Sequence, residues 1–472
     1  MPRFVALIVV WLAASFSYAA DKPNIIFLFA DDYSYECVGA YGHPLVQTPN
    51  LDQLARRSTR FTHAYNMGSW SGAVCVASRT MLNTGRFVWH AEKVYKTAEN
   101  ERVAGRFWSE YMKKAGYDTY MTGKWHVPAN AAKAFETSAH IRGGMPKDTN
   151  HGYNRPPAVG EDPWSPSDPQ FGGFWTGGKH WSEVVADDAI DFLDTAAKRD
   201  KPFFMYLAFN AVHDPRQSPQ DYVDRYPAEK TDVPDDFLPL YPEREAMGAG
   251  KSLRDEKLAP FPRTPHAIQV HRSEYYAIIE HMDAQIGRIL DALQKTGKAD
   301  NTYIFFTADH GLAVGHHGLL GKQNMYDHSV RVPLLVAGPG LPQGNVCETP
   351  VYLQDVMATT LELAGVEKPD HVEFRSLLPV IRGERDVQYD AIYGAYLERQ
   401  RMITADGYKL ILYPTIAKIK LFDLTADPQE REDLAANPDQ RGRIQQLLNR
   451  LLKLQTEVGD DLDLKKPYAD WL

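Results

Sequence analysis

Four short apolar runs in this chain each end in a cluster of polar, chemistry-bearing residues, and that coincidence constrains the fold more than any other feature. Ile25 to Ala30 ends in Asp31-Asp32, and Thr119 to Gly123 ends in Lys124-Trp125-His126. Phe203 to Phe209 ends in Asn210 and then His213-Asp214-Pro215, and Tyr303 to Ala308 ends in Asp309-His310-Gly311. The runs are continuous, aromatic and β-branched, as strands buried on both faces are. Val332 to Ala337 is a similar run. Between them lie amphipathic helical segments. Thr48-Pro49 opens one through Arg56, with Thr48 as its cap. Trp181 to Lys198, Ser273 to Thr296 (stopped by Gly297) and Leu353 to Ala364 (closed by Gly365) are others. Strands alternating with helices predict a largely parallel α/β sheet. Ligands bind such sheets beyond the carboxyl ends of the strands. All four polar clusters fall there.

Past about residue 380 the pattern changes. Ala391 to Leu397, Met402 to Ala405, Lys409 to Tyr413 and Leu421 to Leu424 read as short strands, with Asp406-Gly407 as a hairpin turn. Asp439 to Leu454 reads as a final amphipathic helix. The expectation is a large unit over residues 21–380 and a smaller α+β subdomain with an antiparallel sheet over 381–472. Residues 127–180 and 214–270 are rich in Pro, Gly, Trp and Tyr with little periodicity. Such tracts are either functional loops or plain surface insertions.

The carboxylate pairs are candidate metal ligands. Asp31 and Asp32 adjoin at a strand end, where ionising both is costly unless a cation relieves it. Taken alone, Asp-Asp after a strand is more often a helix cap or a turn. A second pair, Asp309-His310, at a matching strand end turns the reading toward metal. Mostly oxygen ligands favour Ca²⁺ or Mg²⁺, and one histidine also admits Mn²⁺ or Zn²⁺. Lys124, His126, His213 and Lys322 form a cationic set that, with Arg79, describes a pocket for a tetrahedral oxyanion. Gly315-His316-His317-Gly318 and Gly321-Lys322 suggest a glycine-rich loop closing over that anion.

Cys75-Val76-Ala77-Ser78-Arg79 stands at the start of a predicted helix, Cys75 to Leu82, with Gly85 past its end. A helix N-terminus favours anions and thiolates, and Arg79, one turn on, would point back toward Cys75. The alternative is a buried cysteine beside a surface arginine. The other cysteines, Cys37 and Cys347, make no disulfide framework; they could pair, but buried thiols are the better reading.

Residues 1–20 read as a removable signal peptide. Arg3 precedes the apolar run Phe4 to Phe16, and Ser17-Tyr18-Ala19 offers a small-x-small cleavage site. An uncleaved anchor is the alternative, though the run is short for a bilayer. No later run approaches membrane length, so the mature chain is expected in the periplasm or secreted, without stable membrane insertion. The net charge of −9 is spread evenly, which argues against general nucleic-acid binding. It leaves an anionic substrate open, since only the pocket must be cationic.

From about Pro23 to Tyr413 the chain resembles the type I sulfatases of the alkaline phosphatase-like superfamily. The carriers are Asn24-Ile25-Ile26 through Asp31-Asp32, Thr48-Pro49-Asn50-Leu51-Asp52, and Cys75-Val76-Ala77-Ser78-Arg79 with Thr84-Gly85-Arg86. They continue through Gly123-Lys124-Trp125-His126, His213-Asp214-Pro215 and Thr307-Ala308-Asp309-His310-Gly311 to Gly321-Lys322 and Arg331-Val332-Pro333. The resemblance implies an α/β/α sandwich and a sulfuric ester hydrolase. It implies that Cys75 is oxidised to Cα-formylglycine by a separate maturation enzyme and acts as the hydrated aldehyde. Metal ligation, usually of Ca²⁺, carries onto Asp31, Asp32, modified Cys75, Asp309 and His310. By the same resemblance, Arg79 would hold the diol, Lys124 and Lys322 the sulfate oxygens. His126 would take a proton from the second hydroxyl, and His213, with Lys322, would protonate the leaving alcohol. The chain departs from the commonest motif at Ala77, where proline is usual, and at Asn83, where leucine is. Export and the aromatic loops suit a sulfated carbohydrate. The alternatives are a phosphonate or phosphodiester hydrolase of the same superfamily and a secreted glycan-binding protein whose Cys75 is never modified.

Overall fold

The computed structural model describes residues 22–472; the expected signal peptide lies outside them. Its strands and main helices follow in chain order: β1 (Asn24–Ala30), α1 (Pro49–Arg56), β2 (Ser58–Tyr65), β3 (Gly68–Ser69), α2 (Val74–Thr84) and β4 (Asp118–Lys124). Next come β5 (Thr137–Arg142), α3 (Trp181–Ala197), β6 (Phe203–Ala208), α4 (Pro265–Lys295), β7 (Thr302–Ala308) and β8 (Arg331–Ala337). The chain continues with β9 (Asn345–Cys347), β10 (Val351–Tyr352) and α5 (Asp355–Leu363). It closes with β11 (Ile392–Tyr396), β12 (Gln400–Ala405), β13 (Tyr408–Tyr413), β14 (Lys418–Asp423) and α6 (Arg441–Glu457).

The large sheet runs β9-β2-β8-β7-β1-β6-β4-β5, with β10 also on β2. Strands β7, β1, β6, β4 and β5 are mutually parallel. Every residue of β1, β4, β6 and β7 is buried; β1, β6 and β7 are mostly apolar, whereas β4 also buries Asp118, Thr119, Thr122 and Lys124. Strand β8 runs antiparallel to both neighbours, so its first residue, Arg331, stands at the edge where the parallel strands end. Helix packing on the sheet buries Phe27, Phe29, Trp108 and Tyr206 as one aromatic cluster, with ring centroids 4.8–6.0 Å apart. The second sheet is β14-β13-β12-β11-β3, antiparallel except that β11 and β3 are parallel. Its edge strand thus comes from the segment just before Cys75. Gly68 makes that junction, because a Cβ there would lie 1.9 Å from the Ala395 carbonyl oxygen.

Several expectations need correction. β2 went unread because Ser58 to Tyr65 mixes polar and apolar residues, yet it lies between β8 and the β9/β10 edge. β5 lies inside the supposedly irregular tract 127–180. α4 begins eight residues before Ser273; Thr264 Oγ1 caps it by accepting from Ala267 N–H at 3.1 Å. Its first turns carry His271 and Arg272, polar residues that are buried and paired rather than solvated. Thr48 does not cap α1. Its hydroxyl accepts from Gly39 N–H and donates to Asp52, while Asp283 on α4 takes the Asn50 and Leu51 N–H groups at 3.1 and 2.8 Å. Cys37 and Cys347 are buried free thiols. No helix among the described residues is long and apolar enough to cross a membrane.

The loop around His316 and His317 does not present its rings to an anion. His316 Nδ1 lies 3.0 Å from Asp236 and Nε2 2.7 Å from Glu36. Both nitrogens can donate only in the imidazolium. Burial opposes that charge, but the two carboxylates outweigh it and raise His316 to about 10. Burial likewise pushes Glu36 up, but His316 outweighs it and lowers it to about 2. Because the folded pKa of His316 exceeds its unfolded value, its stabilisation is whole below about pH 6.5 and is lost as pH rises toward 10. That of Glu36 is present above about pH 4.5 and is lost toward 2. Denaturant titrations from pH 7 to 10 are expected to show a flatter stability profile for His316→Gln than for the wild type. They should also show a loss of about 3 kcal/mol at pH 7, the cost of leaving buried charge unpaired.

Candidate active site

The carboxyl ends of β1, β4, β6 and β7 converge as the sequence requires. Asp31 and Asp32 follow β1, Lys124 ends β4, His126 lies just beyond it, His213 lies five residues past β6, and Asp309 and His310 follow β7. The strand ends are stitched together by backbone. Asp31 N–H donates to Ala211 O at 3.0 Å, Asp32 N–H to Asp309 Oδ1 at 3.1 Å and Asp309 N–H to Ala30 O at 3.3 Å. Gly123 allows β4 to come close beside β6; a Cβ there would meet the Ala208 oxygen at 1.8 Å. Asp32 and His126 both adopt the left-handed conformation, with φ of 62° and 55°. That costs on the order of 1 kcal/mol per residue and is held by the surrounding bonds.

Cys75 is the second residue of α2, all of whose residues are buried, and Gly85 closes the helix in the left-handed region. Its Sγ lies 3.4 Å from Asp31 Oδ1, 3.7 Å from Asp32 Oδ1 and 3.1 Å from Lys322 Nζ. Lys322 Nζ also donates to both oxygens of Asp32 at 2.6 Å, and Lys124 Nζ donates to Asp31. Arg79 corrects one expectation. It does not turn back to Sγ; its Nε donates to Asp309 Oδ2 at 2.9 Å and its Nη1 to the Lys124 carbonyl at 2.8 Å. Its Nη2 stands 3.8 Å from Asp31, and its guanidinium lies 4.6 Å from the Phe29 ring centre. Three buried carboxylates and three buried cations therefore interlock around one thiol.

The electrostatics follow from burial. Burial is the largest influence on Asp31, pushed up to about 6, and on Asp32, pushed up to about 8 despite Lys322. Burial also pushes Asp309 up, but Arg79 and its other cationic neighbours outweigh it and hold it below the usual carboxylate range. Burial, with Asp31 beside it, pushes the Cys75 thiol well above its ordinary value. The helix start therefore does not make a thiolate here, and unmodified Cys75 is a poor nucleophile. Burial lowers His126 and His310 to about 3, so both rings are neutral.

This donor set suits a divalent cation. Atoms of Asp32, Cys75, Asp309 and His310 all lie within 4.8 Å of one another, as do those of Asp31, Cys75 and His213. His310 Nε2 is buried with no hydrogen-bond partner, which is costly unless something binds it. Two carboxyl groups whose ionisation a cation would favour, Asp31 and Asp32, an ionised Asp309 and the orphaned neutral imidazole of His310 fit Ca²⁺ or Mg²⁺.

A cavity of about 380 Å³ opens above Cys75, lined by His126, His213 and Lys322. Met145, Leu253, Arg254, Asp255 and Gln323 also line it, and motif reasoning missed them. Four of these five come from the aperiodic tracts 127–180 and 214–270, whose only signal was their length and aromatic content. Arg254 is held between Asp214 and Asp255, and its Nη2 lies 3.5 Å from His213 Nε2. Also unforeseen are three groups that fix the carboxylate backbone. Asn66 Nδ2 and Ser78 Oγ donate to the Asp309 carbonyl at 2.6 and 2.9 Å, and Tyr275 donates to the Asp32 carbonyl at 2.7 Å.

Residues 23–366 match the family model described as sulfatase. The chain belongs to the sulfatase family. Residues 315–457 match a second model, that of the N-sulphoglucosamine sulphohydrolase C-terminal region. An arylsulfatase of Clostridium perfringens is 29% identical, over 92% of this chain and 94% of its own length. An N-acetylglucosamine-6-O-sulfatase of Bacteroides thetaiotaomicron is 26% identical, over 93% and 87%. Among solved structures, an enzyme in complex with its substrate D-glucosamine-2-N,6-O-disulfate superposes with a TM-score of 0.74 at 23% identity, covering 94% of this chain and all of that one. A phosphonate monoester hydrolase of Agrobacterium radiobacter gives 0.72 at 22% identity, covering 92% of this chain and 96% of its own. These neighbours share the alkaline phosphatase-like fold.

The donor set predicts a stability readout that needs no turnover. At a free calcium concentration 100 times its Kd, the wild type is expected to gain about 2.7 kcal/mol of stability, reversed by chelation. Asp32→Asn and Asp309→Asn should each lose most of that gain in calorimetry with and without calcium.

Proposed function

We propose that this sulfatase hydrolyses a sulfate ester on a carbohydrate, with residue 75 acting as formylglycine and a divalent cation, preferably Ca²⁺, beside it. The observation that carries the reading is the convergence of Asp31, Asp32 and Lys322 on one thiol that is a poor nucleophile as it stands, with Lys124, Arg79 and Asp309 interlocked around them. A hydrated formylglycine supplies one hydroxyl to attack sulfur and a second by which sulfate is expelled. The cation lowers the cost of negative charge on the sulfate oxygens. Lys124 and Lys322 bind those oxygens, and Arg79 holds Asp309 and the end of β4 in place. His126, neutral and lining the cavity, accepts the proton of the second hydroxyl.

The proton for the leaving alcohol is assigned to Lys322 before His213. Burial disfavours the lysine charge, but the carboxyl groups of Asp32, Asp255 and Asp31 outweigh it and keep Lys322 protonated. Burial, then Lys322 and Lys124, drive His213 well below its ordinary value. Its Nδ1–H donates to the Asp214 carbonyl at 2.7 Å, which leaves Nε2 as an acceptor facing Arg254. Neutral His213 orients the leaving oxygen, and Lys322 donates.

The carbohydrate assignment draws support from relatives named as an N-acetylglucosamine-6-O-sulfatase and as an ulvan-active sulfatase of Formosa agariphila. We further infer export through the leader at residues 1–20 and modification of Cys75 by a separate maturation enzyme. The phosphonate monoester hydrolase neighbour supports one competing reading, hydrolysis of a phosphonate monoester or a phosphodiester.

Steady-state kinetics on 4-nitrophenyl sulfate and bis-4-nitrophenyl phosphate, after co-expression with a formylglycine-generating enzyme, decide between them. The sulfate should be the faster substrate, and faster turnover of the diester would reverse the assignment. The mass of the tryptic peptide carrying residue 75 should show cysteine converted to formylglycine, and unaltered cysteine with full activity would falsify the nucleophile. Lys322→Ala is expected to lower kcat about 100-fold or more on sugar sulfates and less on 4-nitrophenyl sulfate, whose leaving group needs no proton.

A further inference from the structure

A cleft of about 640 Å³ opens beside the active-site mouth, and the proposed reaction makes no use of it. Trp70 and Trp89 line it, with Glu92, Lys93, Glu398 and Arg399 around them. Trp70 stands five residues before Cys75, and the segment between them belongs to both cavities: Gly72 and Ala73 line the mouth above Cys75. Leu397 N–H donates to the Ser69 carbonyl at 2.8 Å, which pins the end of β11 against this segment. At Gly72 a Cβ would meet only the Tyr396 hydroxyl at 3.8 Å, so this segment carries no side chain between Ser71 and Ala73.

The floor of the cleft is a fixed polar structure. Arg401 and Asp460, whose side chains are 1% and 2% exposed, pair through two bonds of 2.6 and 2.8 Å. Tyr393 donates to Asp460 at 2.7 Å, and Trp89 Nε1 donates to the Tyr393 hydroxyl at 3.0 Å. The Arg401 guanidinium lies 4.8 Å from the Trp89 ring centre. These bonds hold the indole while leaving it only half-buried. At the rim Glu92, Lys93, Glu398 and Arg399 are exposed, and none joins an ion pair among the described residues. A fixed indole, Trp89, and a second, Trp70, both half-buried and ringed by free carboxylates and cations, suit a sugar, whose C–H face stacks on an aromatic ring and whose hydroxyls take the charged groups. Asp460 is neutralised by Arg401. The remaining lining sets Glu92, Glu398, Asp461 and Asp463 against Lys93 and Arg399, an excess of negative charge that disfavours a second sulfate.

We propose that this cleft is a second sugar subsite, which takes an uncharged unit of the oligosaccharide whose sulfated unit reacts at residue 75. The assignment rests on the carbohydrate sulfatase reading above. The test is saturation-transfer NMR on the full-length enzyme with three neutral tetrasaccharides, chitotetraose, agarotetraose and cellotetraose, beside 4-nitrophenyl sulfate turnover of the same preparation. At least one tetrasaccharide should bind. Trp89→Ala should weaken it about tenfold, the weight of one lost stacking contact. Glu398→Ala, on the exposed rim where folding is not at stake, should weaken it severalfold. Turnover with no binding of any of the three, or binding that neither substitution weakens, overturns the subsite and leaves the sulfatase reading intact. Binding without turnover overturns that reading, and with it the role in substrate capture.

Discussion

The architecture depends on the mutual compensation of six buried ionisable groups. Asp31, Asp32 and Asp309 stand against Arg79, Lys124 and Lys322, and none is more than 4% exposed. Each lies at or just beyond a strand end, on α2 or on the loop past β7, so no element can leave without stranding a charge in a low-dielectric interior. Such clusters are weak sources of net stability, because desolvation offsets attraction. Their effect is positional. They fix the distances between segments far apart in sequence, and a sulfuryl group in transfer needs its partners already in place.

The strands that carry this cluster were legible because burial on both faces writes a continuous apolar run. The four clusters were legible because they recur at matching strand ends, where one cluster alone would read as a cap or a turn. What failed to show has physical reasons. β2 is a sheet strand with a mixed sequence, so neither alternation nor a run betrays it. The first turns of α4 are polar because His271 and Arg272 are buried against specific partners, a context that periodicity does not encode. Antiparallel β8 has the composition of its parallel neighbours, and direction leaves no mark on composition. Arg254 and Met145 reach the mouth from aperiodic loops, where sequence can mark a region but no residue. His316 had the composition of a ligand-binding loop and proved to be an internal cation between Glu36 and Asp236.

The two sheets meet where function is concentrated. β3 contributes only Gly68 and Ser69, yet it joins β11 to the chain that leads into α2. A buried network of Lys409 with Asp327 and Glu430 ties β13 to the loop before β8. The smaller sheet is thus a wall of the site rather than an appendage, which is why its β11–β12 turn can form one side of a cleft beside Cys75.

Helix α2 is enclosed along its whole length, and that fact imposes an order of events on the life of the molecule. A catalyst that must grasp several residues on either side of position 75 cannot reach them once the sheets have closed over them. An enzyme that had to hold α2 on both sides of position 75 would therefore need the chain before the sheets close, and the finished fold would enclose whichever side chain it received.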